Sequence, residues 1–427
     1  MISSKINLLK FCKDIFTIPR SITGQGVRDT LTYINKYIPL KIKKISSGEK
    51  AFDWTIPPEW NINEAYIIDQ TKNKKIIDFK DNTLHILGYS TAIDKEITFK
   101  ELEKHLYFLK DLPDAIPYKT SYYEKRWGFS LSYNQYKSMD KNSKYRVVID
   151  SSHNNNGELN YGELLIKGKS KKEIFLSTYI CHPQMANNEL SGIAVVTALA
   201  NILLKQDNYY SYRFVFVPET IGSIAYISKN LSKLKKNVIG GFNITCVGDE
   251  KRWGIIPSRY GNNISDKIAE HILMYNVKKY SKHSWLDRGS DERQYCSPGV
   301  DLPICCITRS KWNEYPEYHT SLDNFNLVTK KGLDESLEIY LKCIRVFESN
   351  KNIKPKITVF CEPNLGVRGL HPTMKKDEHN LKYRDIKHFI SYCDGTNSIL
   401  EIADLCKIDF FEAFDYYMEL KNVNLIK

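Results

Sequence analysis

The chain has 427 residues, 42% hydrophobic and 26% charged, with a formal net charge of +12. This is the composition of an ordinary globular protein, long enough for two or three domains. No stretch approaches the roughly eighteen uninterrupted apolar residues that a membrane span needs. The lysines are spread along the chain, as at Lys41 to Lys44, Lys72 to Lys75 and Lys233 to Lys236, so the charge reads as a solvated basic surface before it reads as a nucleic-acid face.

In chain order, Met1 to Lys5 leads into a mixed charged and apolar pattern, without the apolar core of a secretion signal. The ten cysteines are scattered with no CxxC pair. Together these features predict reduced thiols in a cytoplasmic protein. Helices are expected over Lys5 to Phe16 and Gly26 to Tyr37, followed by the aromatic stretch Phe52 to Trp60. Short β-rich runs follow at Ala65 to Asp69, Lys75 to Phe79 and Leu84 to Leu87, with a helix over Leu102 to Leu112. From Tyr145 to Asn350 strands and helices alternate as in an open α/β sheet. Strands are expected at Tyr145 to Ile149, Glu173 to Ile180, Ser211 to Val217, Val238 to Cys246 and Leu302 to Thr308. Helices are expected from Ser191 to Leu204, Ser223 to Leu231, Asn263 to Met274 and Lys331 to Phe347. The segment Lys351 to Lys356 is a charged, Pro-containing linker to a small final domain.

Chemistry gathers at the expected strand ends. Ile180-Cys181-His182-Pro183-Gln184-Met185-Ala186-Asn187-Asn188-Glu189-Leu190-Ser191-Gly192 puts an imidazole and an acid at the tip of a strand. There the sheet holds the backbone while side chains project into the crevice. Imidazole and carboxylate are first-choice zinc ligands. The apolar strand Phe214 to Val217 ends at Pro218-Glu219, where a carboxylate can ligate a metal or act as general base. Glu219 could equally cap the helix that begins near Ser223. Two further polar clusters are Arg288-Gly289-Ser290-Asp291-Glu292-Arg293 and Glu317-Tyr318-His319-Thr320-Ser321-Leu322-Asp323-Asn324.

The series His182, Asn188 to Gly192, Glu219 with Gly222-Ser223, Ser290-Asp291 and Tyr318-His319-Thr320 resembles zinc aminopeptidases of the M28 type. More closely, the whole chain is similar to a bacterial aminopeptidase-like group with DUF4910, an inserted DUF2172 domain and a C-terminal winged helix. Arg20 to Gly24, Phe52-Asp53-Trp54, Pro58-Glu59-Trp60, Ser121-Tyr122-Tyr123 and Trp127-Gly128-Phe129 carry that closer likeness, together with Cys181-His182-Pro183, Pro218 to Ser223 and Tyr318 to Ser321. The resemblance implies an open mixed α/β sheet flanked by helices. Residues 1–60 and 145–350 would form the catalytic domain, 61–144 an inserted β-rich domain and 355–427 the winged helix.

The resemblance makes His182 and His319 the imidazole ligands. The family's Glu-Glu pair is reduced to Glu219, its metal-bridging Asp falls on Asn188, and a further Asp ligand falls on Thr245. Two cations held close together need bridging anions, so one zinc per chain is expected. Glu189 is assigned as its carboxylate ligand and Glu219 as general base, with the reverse assignment open. Asn188, Asp291, Glu292, Arg288 and Glu317 are candidates for substrate binding, the acids by holding a free ammonium. The expected function is zinc-dependent hydrolysis of a small peptide or amide substrate. The rivals are hydrolysis of an N-acyl sugar or metabolite, and a non-catalytic scaffold with a degenerate metal site. Residues 384–427 hold five Lys/Arg against eight Asp/Glu. This favours docking or self-association over nucleic-acid binding.

Overall fold

Four runs set the centre of the fold because they lack polar alternation. Glu173–Tyr179, Ser211–Val217, Val238–Asn243 and Ile304–Thr308 are buried at almost every position, as strands covered on both faces must be. The computed structural model describes residues 6–370 and 378–427; Lys5, the first residue of the expected N-terminal helix, lies outside them. Numbered along the chain, the main-sheet strands are β1 (Lys41–Ser46), β2 (Glu158–Ile166), β3 (Glu173–Tyr179), β4 (Ser211–Val217), β5 (Val238–Asn243), β6 (Gly254–Ile256), β7 (Ser281–Lys282) and β8 (Ile304–Thr308). They lie in the order β1-β2-β4-β3-β5-β8-β6-β7. The central four, β4-β3-β5-β8, are parallel, while β2 joins β4 and β6 joins β8 in antiparallel fashion. The chain leaves β3 for β4 on one side and later returns to β5 on the other. This opens a crevice at the carboxyl end of β3.

Helices α1 (Leu8–Asp14), α2 (Gln25–Ile34), α3 (Ser191–Leu203) and α4 (Ile221–Asn237) belong with this sheet. α3 is buried at every position but Asn201, which explains its lack of a polar face. A second, antiparallel sheet orders Lys74–Asp78, Glu59–Asp69, Lys144–Asn154 and Ile93–Thr98.

Three expectations change here. Tyr145 to Ile149, expected in the main sheet, lies inside Lys144–Asn154 of the smaller one, paired with Glu59–Asp69 over nearly its whole length. Leu84 to Leu87 is not a strand, since Thr83–His85 form a 3-10 turn. The helix expected over Leu102 to Leu112 ends at Leu102, and Leu106–Tyr107 instead pair with Phe129–Ser130. There, pairing with a distant partner overrides local propensity. The strands Lys41–Ser46 and Glu158–Ile166 were not anticipated; the first is a Lys-rich edge strand, the usual way to blunt an open sheet edge.

The chain divides into two compact units, one of residues up to Asp266 with Tyr280–Leu337, the other of Lys267–Lys279 with Glu338–Lys427. The second unit contains helices Glu378–Ser391, Ile399–Cys406 and Phe410–Asn422. An Asp394-Gly395 turn separates the first two, with Gly395 in the left-handed region at φ 88°. Ser398 and Glu401 then close a capping box on Ile399–Cys406. Among the described residues, no helix is long and apolar enough to cross a membrane, and the ten cysteines are unpaired.

Candidate metal centre

After β3 the chain crosses the sheet end to His182 and enters a wide helical turn, Ala186–Leu190, before α3. Such i→i+5 turns cluster at functional sites, and this one folds Glu189 back beneath the histidine. Glu189 is fully buried and engaged on both oxygens. Oε1 accepts from Arg20 Nε at 2.7 Å. Oε2 accepts the backbone N–H groups of Cys181 at 2.8 Å and His182 at 2.5 Å, and faces His182 Nδ1 at 3.1 Å. The other ring nitrogen, Nε2, lies 3.7 Å from Glu219 Oε2. Burial opposes charge on His182, but Cys181, Glu189 and Glu219 together push its pKa well above the ordinary imidazole range.

Across the crevice, His319 sits with its ring centroid 5.3 Å from that of His182. Its backbone is left-handed, φ 54°, and its Nε2 is buried with no hydrogen-bond partner. Burial, then the neighbouring His182 and Lys119, hold its pKa down to about 2, so the imidazole is neutral. Tyr318 stacks on this ring at 3.9 Å, and Tyr118 packs 5.1 Å from His182 and 5.2 Å from His319. Tyr118 arrives from the inserted segment, which is stitched to the His319 loop. Tyr118 N–H donates to the His319 carbonyl at 2.8 Å, and Ser321 N–H donates to the Ile116 carbonyl at 2.9 Å. The same segment reaches the His182 loop, where Thr83 Oγ1 donates to Gln184 Oε1 at 2.7 Å.

Glu219 follows β4, the neighbour of β3, so strand order alone brings it beside His182. Its backbone N–H donates to Cys181 Sγ at 3.2 Å. Burial raises its pKa, against the pull of His182 and Arg293. The next residue, Thr220, adopts φ 62° and ψ −78°, a strained conformation for a β-branched residue. Asp291 Oδ1 supports it, accepting from Thr220 N at 2.8 Å and Ser223 Oγ at 2.7 Å. Burial, then the Glu219 charge, push Asp291 up to about 7.

The other candidates separate. Asn188 Oδ1 accepts from the Tyr179 hydroxyl at 2.8 Å, and that hydroxyl accepts from Thr245 Oγ1 at 2.6 Å. Hydroxyls and an amide thus occupy the position of the two missing acids. Asp323 braces the Asn188 turn from below, accepting from the N–H groups of Asn187 at 2.5 Å and Asn188 at 2.9 Å. Glu292 is buried and bound by Gly289 N at 2.9 Å, Ser290 N at 3.1 Å and Asn243 Nδ2 at 3.2 Å, so no free oxygen edge remains to hold an ammonium. Glu317 pairs with Lys251 at 2.7 Å, and Arg288 is exposed over the Trp285 ring.

Cys181 Sγ, His182 Nδ1 and a Glu189 oxygen lie within 4.8 Å of one another, a spacing that could hold a cation on the inner face of His182. On that face Glu189 is already paired with the Arg20 guanidinium and accepts the N–H groups of Cys181 and His182. The outer face offers a second set, His182 Nε2, His319 Nε2 and a Glu219 oxygen, which among the described residues does not meet the 4.8 Å mutual spacing of the first. Arg20, Tyr118 and Arg293 were not anticipated as parts of this site. A buried arginine requires an acid partner, but nothing local to Pro19-Arg20-Ser21 indicates which one.

The chain matches the family model described as a domain of unknown function, DUF4910, over residues 9–350, and a winged helix-turn-helix model over residues 352–427. A Clostridium acetobutylicum protein named for polysaccharide biosynthesis and an aminopeptidase-like domain is 43% identical over 403 residues, covering 93% of this chain and 91% of the other. A crystal structure from the same organism, given a peptidase name, aligns with TM-score 0.92 and 41% identity over 98% of this chain and 95% of that one. A zinc aminopeptidase from Bacillus subtilis aligns with TM-score 0.56 and 12% identity, covering 80% of this chain and 93% of its own. At that identity the likeness speaks for the fold alone.

Proposed function

Because this chain belongs to the DUF4910 family and has the M28 aminopeptidase fold, we propose that it is a hydrolase of small peptides or related amides that uses one zinc. His182 Nε2 and His319 Nε2 are the imidazole ligands and Glu219 the carboxylate, in place of the Glu189 assigned from the sequence. Glu189 instead fixes the tautomer and direction of His182, as carboxylates behind metal-bound histidines do. The observation that carries this reading is the Nε2 of His319, buried without a partner in a ring whose centroid lies 5.3 Å from that of His182. Buried polar atoms left unpaired are rare and need a reason.

Zinc in such a site supplies Lewis acidity to a carbonyl and lowers the pKa of water. The chain's own residues do the rest. Asp291 holds the Thr220 turn that follows Glu219, and so positions that carboxylate. Tyr118 and Tyr318 wall the crevice and exclude bulk water. The Tyr179–Thr245–Asn188 network leaves no anionic place for a second cation. That network also favours the second reading, a scaffold that keeps the fold without catalysis. We further place the protein in the cytoplasm, on its unpaired thiols, and assign the winged helix, whose residues 384–427 are net negative, to docking or self-association.

Elemental analysis of the purified protein tests the proposal. About one zinc per chain is expected, lost in both His182→Ala and His319→Ala. Absence of metal after zinc is supplied leaves the scaffold reading, and two zinc ions per chain overturn the single-metal assignment.

A further inference from the structure

The acids that an aminopeptidase would need for a substrate ammonium are committed elsewhere. Glu292 accepts three N–H donors, Glu314 lies 3.2 Å from Lys311, and Glu317 pairs with Lys251. Asp291 and Glu317 each keep one oxygen without a partner, but both oxygens are fully buried. What borders the crevice instead is a cation. Arg293 stands on the one-turn helix Glu292–Tyr295 and is half-buried. Its Nη2 donates to the neutral hydroxyl of Thr220 at 2.5 Å, and it forms no ion pair among the described residues. Its Nε is buried with no partner. Thr220 directly follows Glu219, so the bond to its hydroxyl holds the guanidinium beside the crevice carboxylate.

A guanidinium presents five N–H donors in a planar fork that matches a carboxylate. Here the arrangement spends one of them on a hydroxyl. The backbone that aims it is itself unusual, because the strained Thr220 turn carries that hydroxyl. Holding a strained turn and a spare cation beside the reactive face has a physical rationale if an anionic group is expected there.

We propose that Arg293 receives a carboxylate of the substrate, so that the amide cleaved belongs to an N-acylated carboxylic acid, an amino acid or an acidic sugar, and not to a peptide with a free amino terminus. This rests on the hydrolase reading above, but its test does not require turnover. Full-length protein, with and without zinc, is titrated calorimetrically with N-acetylglycine against N-acetylglycinamide, and with glucuronate against glucose. The charged member of at least one pair is expected to bind roughly tenfold to a hundredfold tighter, the effect of one charge-assisted fork. That preference should vanish in Arg293→Gln and survive in part in Arg293→Lys. Preference within the first pair alone points to an amino acid, and within the second alone to an acidic sugar. Equal binding within both pairs, no binding of either carboxylate, or a preference unchanged in folded Arg293→Gln overturns the proposal. An Arg293-dependent preference without hydrolysis sinks only the hydrolase reading; hydrolysis without the preference sinks only the role of Arg293.

Discussion

Glu189 and Glu219 are the same residue type beside neighbouring strands, yet their surroundings give them opposite tasks. Glu189 is sealed with Arg20, both side chains at 0% exposure, whereas Glu219 keeps 21% of its side chain open to the crevice. Breaking a sealed pair leaves an uncompensated charge, which costs far more than the pair contributes. Glu189→Gln is therefore expected to lose about 3–5 kcal/mol in urea unfolding, and to weaken zinc binding by about 10–100-fold as His182 loses its brace. Unchanged stability would mean that the pair does not hold this loop. His182 and Glu219 stand out in the sequence as reactive types just after apolar strands, whereas His319, in a polar loop, is singled out only by the family resemblance. The job of Glu189 is not legible, because Arg20 lies 169 residues away and no local pattern encodes such a partner.

The parallel strands are legible nearly to the residue, since short uninterrupted apolar runs between turn signals, in a chain of this composition, are best satisfied by strands buried on both faces. Elements whose identity depends on a distant partner are misplaced by sequence reasoning, as with Leu106–Tyr107 and the strand through Tyr145. The small-residue turn before α3 has a reason that only the packing reveals. A Cβ on Gly192 would lie 2.4 Å from the Ile244 carbonyl oxygen and 2.6 Å from Thr178 Oγ1, so the helix can approach the ends of β3 and β5 only without one. Gly192→Ala should cost about 1–3 kcal/mol, as overpacked sites do, and lower the thermal midpoint in a melting experiment. An unshifted midpoint would mean that α3 can retreat from the sheet at no cost.

Across the whole chain, the net charge of +12 and the net-negative stretch 384–427 point in different directions. Sequence-independent DNA binding needs clustered cations that displace counterions, and a winged helix can present its surface to protein as readily as to DNA. The full-length protein is expected to show no saturable, salt-dependent binding to duplex DNA in fluorescence anisotropy at physiological ionic strength. Tight binding that falls steeply with salt would assign the unit to nucleic acid. The stitching of residues 116–118 to the His319 loop bears on biosynthesis as well. Ile116 and Ser321 are 205 residues apart, so the two imidazoles cannot face each other until a ribosome has released nearly three-quarters of the polypeptide. Contacts of such separation close late in folding. An emerging chain therefore carries His182 without its opposite imidazole from position 182 to position 319, and the proposed ion site is assembled only when chain segments far apart in synthesis have met.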